Sequence, residues 1–208
     1  MENDVKEFLS ELLKQLKSID YIKPEDIPNI DLYMDQVTTF MDEQLAASKR
    51  YESDKILTKT MINNYAKNNL LPSPDKKKYS KEHVLTLLFI YYFKNILSIN
   101  DIRSILNPLT EKYFGSDDGF TMQDVYTEVF SLEAGESQKL LKDLGKKYKI
   151  AGETFEDFPD EDQKFLHTFS FICMLSFDVY IKKMLIERMI DNLNEEKEDS
   201  SHKKTGSN

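Results

Sequence analysis

Residues 58–106 read TKTMINNYAKNNLLPSPDKKKYSKEHVLTLLFIYYFKNILSINDIRSIL. Thr58 suits a helix N-cap, because its hydroxyl can accept from a free amide of the first turn. Beyond it, Met61, Ile62, Tyr65 and Ala66 fall on one side at helical spacing. Thr60, Asn63, Asn64 and Lys67 fall on the other, at i, i+3, i+4 and i+7. Pro72 and Pro74 close this helix, since proline excludes the preceding residue from the α region. Asp75 to Tyr79 then form a compact basic loop. Ser80 caps a further helix predicted to run to about Asn95. Val84, Leu87, Leu88, Phe89 and Tyr91 make it apolar on more than one side, so it is expected to be the most buried. His83, in its first turn, has no His or Cys neighbour in sequence and reads as a surface or capping residue. Ser98 and Asp101 resemble a capping box with Leu97 and Ile102 as its staple. The helix they open is expected to end before Asn107 and Pro108.

The first helix and the loop after it carry chemistry suited to nucleic acid. Asn can bond bidentately to the N6/N7 edge of adenine, and Lys can reach guanine or a phosphate. Between Lys49 and Lys81 stand nine Lys or Arg and three Asp or Glu, a local charge of +6 in a chain of net charge −9. A basic island on an acidic protein is what phosphate contacts require. The plainer alternative is a solvated helix face beside a soluble loop.

The run from Leu57 to Leu106 resembles the N-terminal half of the MerR-type winged helix. It has the exit Leu70-Leu71-Pro72, the basic wing Lys76 to Lys78, the helix start Tyr79-Ser80, and the start Ser98-Ile99-Asn100-Asp101. The chain is also similar, over most of its length, to the YkrK-like family of bacterial proteins, which has no assigned activity. It departs from the MerR pattern at Asn63, where arginine is usual, at Ala66, where an acid is usual, and at Asn69, where glycine usually ends the helix. The resemblance implies an all-α protein with a winged helix-turn-helix core. It carries DNA-contacting roles mainly to Thr60, Tyr65 and the loop lysines. With the residue reading, the DNA-binding set becomes Lys59, Thr60, Asn63, Asn64, Tyr65, Lys67, Lys76, Lys77, Lys78 and Tyr79.

Upstream, Val5 to Ile19 predict an amphipathic helix. Asp31 is expected to cap a supporting helix over Leu32 to Leu45, with Leu32, Val37, Phe40, Met41 and Leu45 facing inward. Six Gly and six Pro in 208 residues fit a helical chain. The one cysteine, Cys173, excludes an internal disulfide. With no signal peptide and no apolar run near eighteen residues, a cytoplasmic protein without a membrane partner is expected.

A loop over Tyr113 to Gly119 marks an expected boundary, giving an N-terminal helix and helix-turn-helix domain over 1–114 and a helical C-terminal region over 115–194. Thr121 and Asp124 suit a helix start with Phe120 and Val125 as a staple pair, and Gly135 is a candidate break. A long helix is predicted from Asp160 to about Asn194. Phe165, Ile172, Val179, Ile186 and Leu193 recur along it every seven residues, although Thr168 and Lys182 interrupt the companion positions. Either it packs in the core of its own chain or it joins two protomers. MerR-like proteins pair through a C-terminal helix, so the resemblance implies a homodimer through 161–194. Residues 195–208 lack apolar side chains and are expected to be disordered.

Enzyme chemistry finds no support: His83, His167 and His202 are scattered, and no phosphate loop, nucleophile elbow or metal-spaced Cys/His set occurs. No cofactor or metal is implied. Asp157, Asp160, Glu161 and Asp162 read as an acidic first turn that complements the helix dipole. Two functions remain as expectations. One is a dimeric regulator that binds double-stranded DNA. The other is a protein–protein interaction module on a degenerate winged-helix scaffold.

Overall fold

The structure is a computed structural model. It describes residues 21–116 and 119–205, with side chains outside 133–138 and 198–205. The expected helix over Val5 to Ile19 lies outside the described residues. The chain is mostly helical, in the order β1 (Leu32–Tyr33), α1 (Met34–Gln44), α2 (Lys59–Lys67), β2 (Lys78–Tyr79), α3 (Lys81–Phe93), α4 (Ile99–Tyr113), α5 (Met122–Ser131), α6 (Glu133–Gly152) and α7 (Asp160–Thr205). Among the described residues no helix is long and apolar enough to cross a membrane. Two compact units form: residues 21–129 with 185–205, and residues 130–184. The boundary expected at 114 therefore falls inside the first unit.

In that unit α3 is the axis. Every residue from His83 to Ile90 is buried, as its all-round apolarity predicts. Thr86, fully buried in its middle, donates its hydroxyl to the Glu82 carbonyl at 2.8 Å and so meets its own need for a partner. Val37 and Met41 line the inner face of α1 and Leu45, just past its end, is buried as well, while Phe40 is only half-buried. Asp31 does not cap this helix. Leu32 and Tyr33 are extended and pair antiparallel with Tyr79 and Lys78, so the helix begins later, with the Tyr33 amide donating to Gln36 Oε1 at 2.8 Å. The ladder fixes the backbone that a cap at Asp31 would have needed.

The ends of residues 22–129 are tied together. The Tyr126 hydroxyl donates to the Ile22 carbonyl at 2.8 Å in a buried bond, and burial pushes the phenol well above its usual range. Its ring meets those of Phe89 and Tyr21 edge to face. The start of α5 is as predicted, with Thr121 and Asp124 bonded reciprocally, but its staple does not close: Phe120 is 75% exposed. The break after α5 falls at Leu132, not at Gly135.

Helix α4 departs further from expectation. Ser98 and Asp101 cap it as predicted, at 3.1 and 3.2 Å, and Leu97 and Ile102 are both buried. It then runs through Pro108 to Tyr113. Proline has no amide, so the carbonyl four residues back, that of Ser104, loses its helical donor. Lys197 of α7 supplies one instead: its ammonium donates to the Ser104 carbonyl at 2.9 Å. The same helix corrects the expected disordered tail, since α7 continues past Asn194 to Thr205. The Glu- and Lys-rich run there has high helix propensity.

In residues 130–184, Lys147 of α6 bonds Asp143 at 2.5 Å and Asp178 of α7, and these carboxylates, Asp143 first, hold its pKa above the usual lysine value. Tyr148 and Phe171 pack edge to face at 5.2 Å. His167 Nε2 lies 2.8 Å from the Thr154 carbonyl, in the segment that follows α6. Among the described residues no cluster of three metal-ligating side chains forms.

Candidate nucleic-acid interface

Thr58 acts as the cap its position predicts, with Oγ1 accepting from the Met61 amide at 3.2 Å. Asn69 then ends α2 at a φ of 56°, the left-handed geometry usually taken by glycine. The Leu70 amide returns to the Tyr65 carbonyl at 2.9 Å and the Asn69 amide to Ala66 at 3.1 Å, a Schellman ending that seats Leu70 and Leu71 in the core. Helix α2 is thus set as a short rod with a fixed inner face, Ile62 and Tyr65.

Its outer face carries Thr60, Asn63, Asn64 and Lys67, all exposed. Among the described residues Thr60, Asn63 and Lys67 have no protein partner. Asn64 is partly engaged: Asn68 Nδ2 donates to its carbonyl at 2.8 Å and to its Oδ1 at 3.1 Å. Asn68 was not singled out from sequence, although an amide pair at i, i+4 on one face was the available signal. Lys59 is exposed but ion-paired with Asp35 of α1.

The basic loop forms a two-residue turn. The Lys78 amide donates to the Asp75 carbonyl at 2.8 Å, and Lys76 and Lys77 sit at φ 47° and 66°. Successive left-handed residues match the type I′ geometry, which prefers Asn and Gly because a Cβ is crowded there. Lys76 and Lys77 point two exposed ammonium groups, unpaired among the described residues, from a backbone that other residues would adopt more cheaply. Lys78 lies over the Tyr33 ring at 5.5 Å. Helix α1 packs against α2, β1 and β2, so one supporting helix holds both the rod and the turn.

Two expected contacts are corrected. Tyr65 and Tyr79 are 6% and 4% exposed. Burial raises both phenol pKa values, and their rings serve the core instead of a groove. Tyr79 meets His83 edge to face at 5.5 Å, and His83 meets Phe114 at 4.7 Å.

His83 is a cap, but a buried one. Its Nδ1 accepts from the Ser80 amide at 3.0 Å, which places the ring proton on Nε2, and Nε2 is buried without a hydrogen bond. Burial lowers its pKa. Backbone at Ser73, the charge of Asp31 and backbone at Pro72 offset this only in part. The unfolded chain therefore takes up this proton first. The stability from neutral His83 is complete above about pH 6.5 and falls below it, by up to about 1.4 kcal/mol per pH unit until the folded pKa is reached. The His83→Gln variant keeps an acceptor for Ser80 and cannot titrate, so its Tm should be flatter than the wild type between about pH 5 and 7. Parallel melting curves across that range check this.

The residue order that ties Ile22 to Tyr126 matches the extent of a known family. Residues 22–129 match the family described as Domain of unknown function (DUF1836). The chain belongs to this family. The match covers the part of the first unit that holds α1, α2, the lysine turn, α3 and α4, so rod and turn are parts of the DUF1836 domain. No curated protein and no solved structure matches the chain.

Proposed function

We propose that this DUF1836 protein is a dimeric, MerR-like regulator that binds duplex DNA through α2 and the Lys76–Lys77 turn. The observation that carries the proposal is the pairing of unspent groups on one support. Thr60, Asn63 and Lys67 are exposed and without a partner among the described residues, and beside the strand pair that the same supporting helix packs against, two lysines hold a left-handed turn. Strained backbone persists where the surrounding fold enforces it, and it clusters at functional sites. In this arrangement Lys76, Lys77 and Lys67 supply phosphate contacts, and Thr60 and Asn63 read base edges.

A second copy is the partner the long helix favours. Phe165, Ile172, Val179, Ile186 and Leu193 are all exposed, from 37% to 70%, whereas Phe171 and Ile190 on the same helix are buried. An apolar row at heptad spacing on an acidic chain fits a self-complementary seam. A heterologous protein on this row is the second reading, that of an interaction module. A titration of the full chain with genomic duplex fragments at low and high salt tests the DNA role. Binding that falls steeply with salt is expected. No binding at low salt would remove it.

Asn and Gly are the better residues for the turn itself. Replacing Lys76 by Asn and Lys77 by Gly should raise stability by about 1–2 kcal/mol while lowering DNA affinity. Thermal melts and duplex titrations on one sample show whether the two effects move in opposite directions.

A further inference from the structure

A polar cleft of about 250 Å³ lies where the loop after α1 meets the C-terminal turn of α3. Lys49, Lys55 and Lys94 line it, and Asp54 is the one carboxylate among the lining residues. Lys49 is met by Asp42 at 2.7 Å, and Asp54 accepts from the Tyr51 amide at 3.0 Å. Ser48 donates to the Leu45 carbonyl at 2.6 Å, so the hydrogen between Ser48 and Tyr91 comes from the tyrosine, and both hydroxyls are spent as donors.

Lys94 and Lys55 are not spent. Lys94 is half-buried; it donates one hydrogen to the Ile56 carbonyl at 2.7 Å and stands 5.1 Å over the Tyr91 ring. Among the described residues no carboxylate pairs with it. Burial pulls its pKa down. The carbonyl end of α3 answers part of its charge, but two N–H groups remain to be placed. Lys55 is exposed at the rim; it makes no hydrogen bond among the described residues, although its charge helps to hold the Asp42 carboxyl below its usual pKa, and the exposed Asn95 also lines the cleft. A cation withdrawn from water without a counter-ion is costly, and charge-assisted bonds to an anion recover that cost.

We propose that this cleft binds the phosphate group of a small phosphate monoester through Lys94, Lys55 and Asn95. The two ammonium groups supply donors and positive charge, which favours a ligand rich in acceptors that carries about two negative charges, and the NH2 of Asn95 adds a further donor. The volume exceeds what a bare ion fills, so a carbon substituent has room. The wall of the site, residues 48–56, leads directly into Thr58 and α2, so a bound phosphate steadies the segment from which α2 starts.

The test is amide NMR of the full chain with inorganic phosphate and then glycerol phosphate, at ionic strength held constant with chloride. Saturable shifts confined to residues 48–56 and 91–95 are expected, with a Kd of about 1 mM or tighter. Lys94→Met should abolish them, and Lys55→Gln, at an exposed position that cannot disturb folding, should weaken them about tenfold. Shifts that fail to saturate, shifts centred on Lys76 and Lys77, or saturable binding unchanged in Lys55→Gln would each overturn the site. A short duplex that displaces the phosphate from these residues would overturn its assignment to a small molecule and give the cleft to the DNA backbone.

Discussion

The variant in which Lys76, Lys77 and Lys78 are all alanine is expected to bind duplex DNA about 100-fold more weakly than the wild type near 0.1 M salt. Its dependence of log affinity on log salt should also flatten by about two, one unit each for the phosphate contacts of Lys76 and Lys77. The loss should be nearly the same for all sequences, since phosphate contacts position a protein without reading bases. Folding should survive. The turn is held by the Lys78 amide on the Asp75 carbonyl and by the β1–β2 ladder, which are backbone bonds, and only the Lys78 stack on Tyr33 is lost with the side chains. Asn63→Ala should act differently, reducing discrimination between sequences more than affinity. It should do so more than Asn64→Ala, because Asn64 Oδ1 already accepts from Asn68. Equal affinity and equal salt slope in the triple variant and the wild type would end the DNA-binding proposal.

The second large effect concerns α7. Changing Ile172, Val179 and Ile186 to Asp should convert a dimer into a monomer at micromolar concentration, weakening association by about 1,000-fold or more. Because these side chains are 54%, 61% and 37% exposed in the single chain, monomer stability should change little, by about 0.5 kcal/mol per site. Light scattering and melting curves on the same variants separate the two quantities. DNA affinity should fall with the dimer, since two half-sites can no longer be held together. A wild-type chain that scatters as a monomer would leave the exposed row to another protein.

The parts of the fold set by local chemistry could be read from residues alone. Thr58, Ser98 and Thr121 sit at helix starts because a hydroxyl there meets a free amide whatever the rest of the chain does. Asn69 and the burial of α3 follow from equally local arguments. The outward row Thr60, Asn63, Asn64 and Lys67 was legible for the same reason, being fixed by helical period. What could not be read depends on partners distant in sequence. Pairing of Leu32 and Tyr33 with Tyr79 and Lys78 delayed α1. Packing, invisible in a motif, drew Tyr65 and Tyr79 inward. Phe120 lacked a neighbour to staple. The passage of α4 through Pro108 required a donor 93 positions away.

That donor has a consequence for assembly. An uninterrupted helix offers no vacant acceptor along its flank, so a second helix lying against it can slip by a turn at small cost. The gap made by Pro108 gives α4 one receptive point, and Lys197 fills it. The terminal stretch of α7 thus has a single seat: a shift of one turn either way would bring its ammonium to carbonyls already occupied. An imino acid that elsewhere would end a helix serves in this protein as the index mark against which another is aligned.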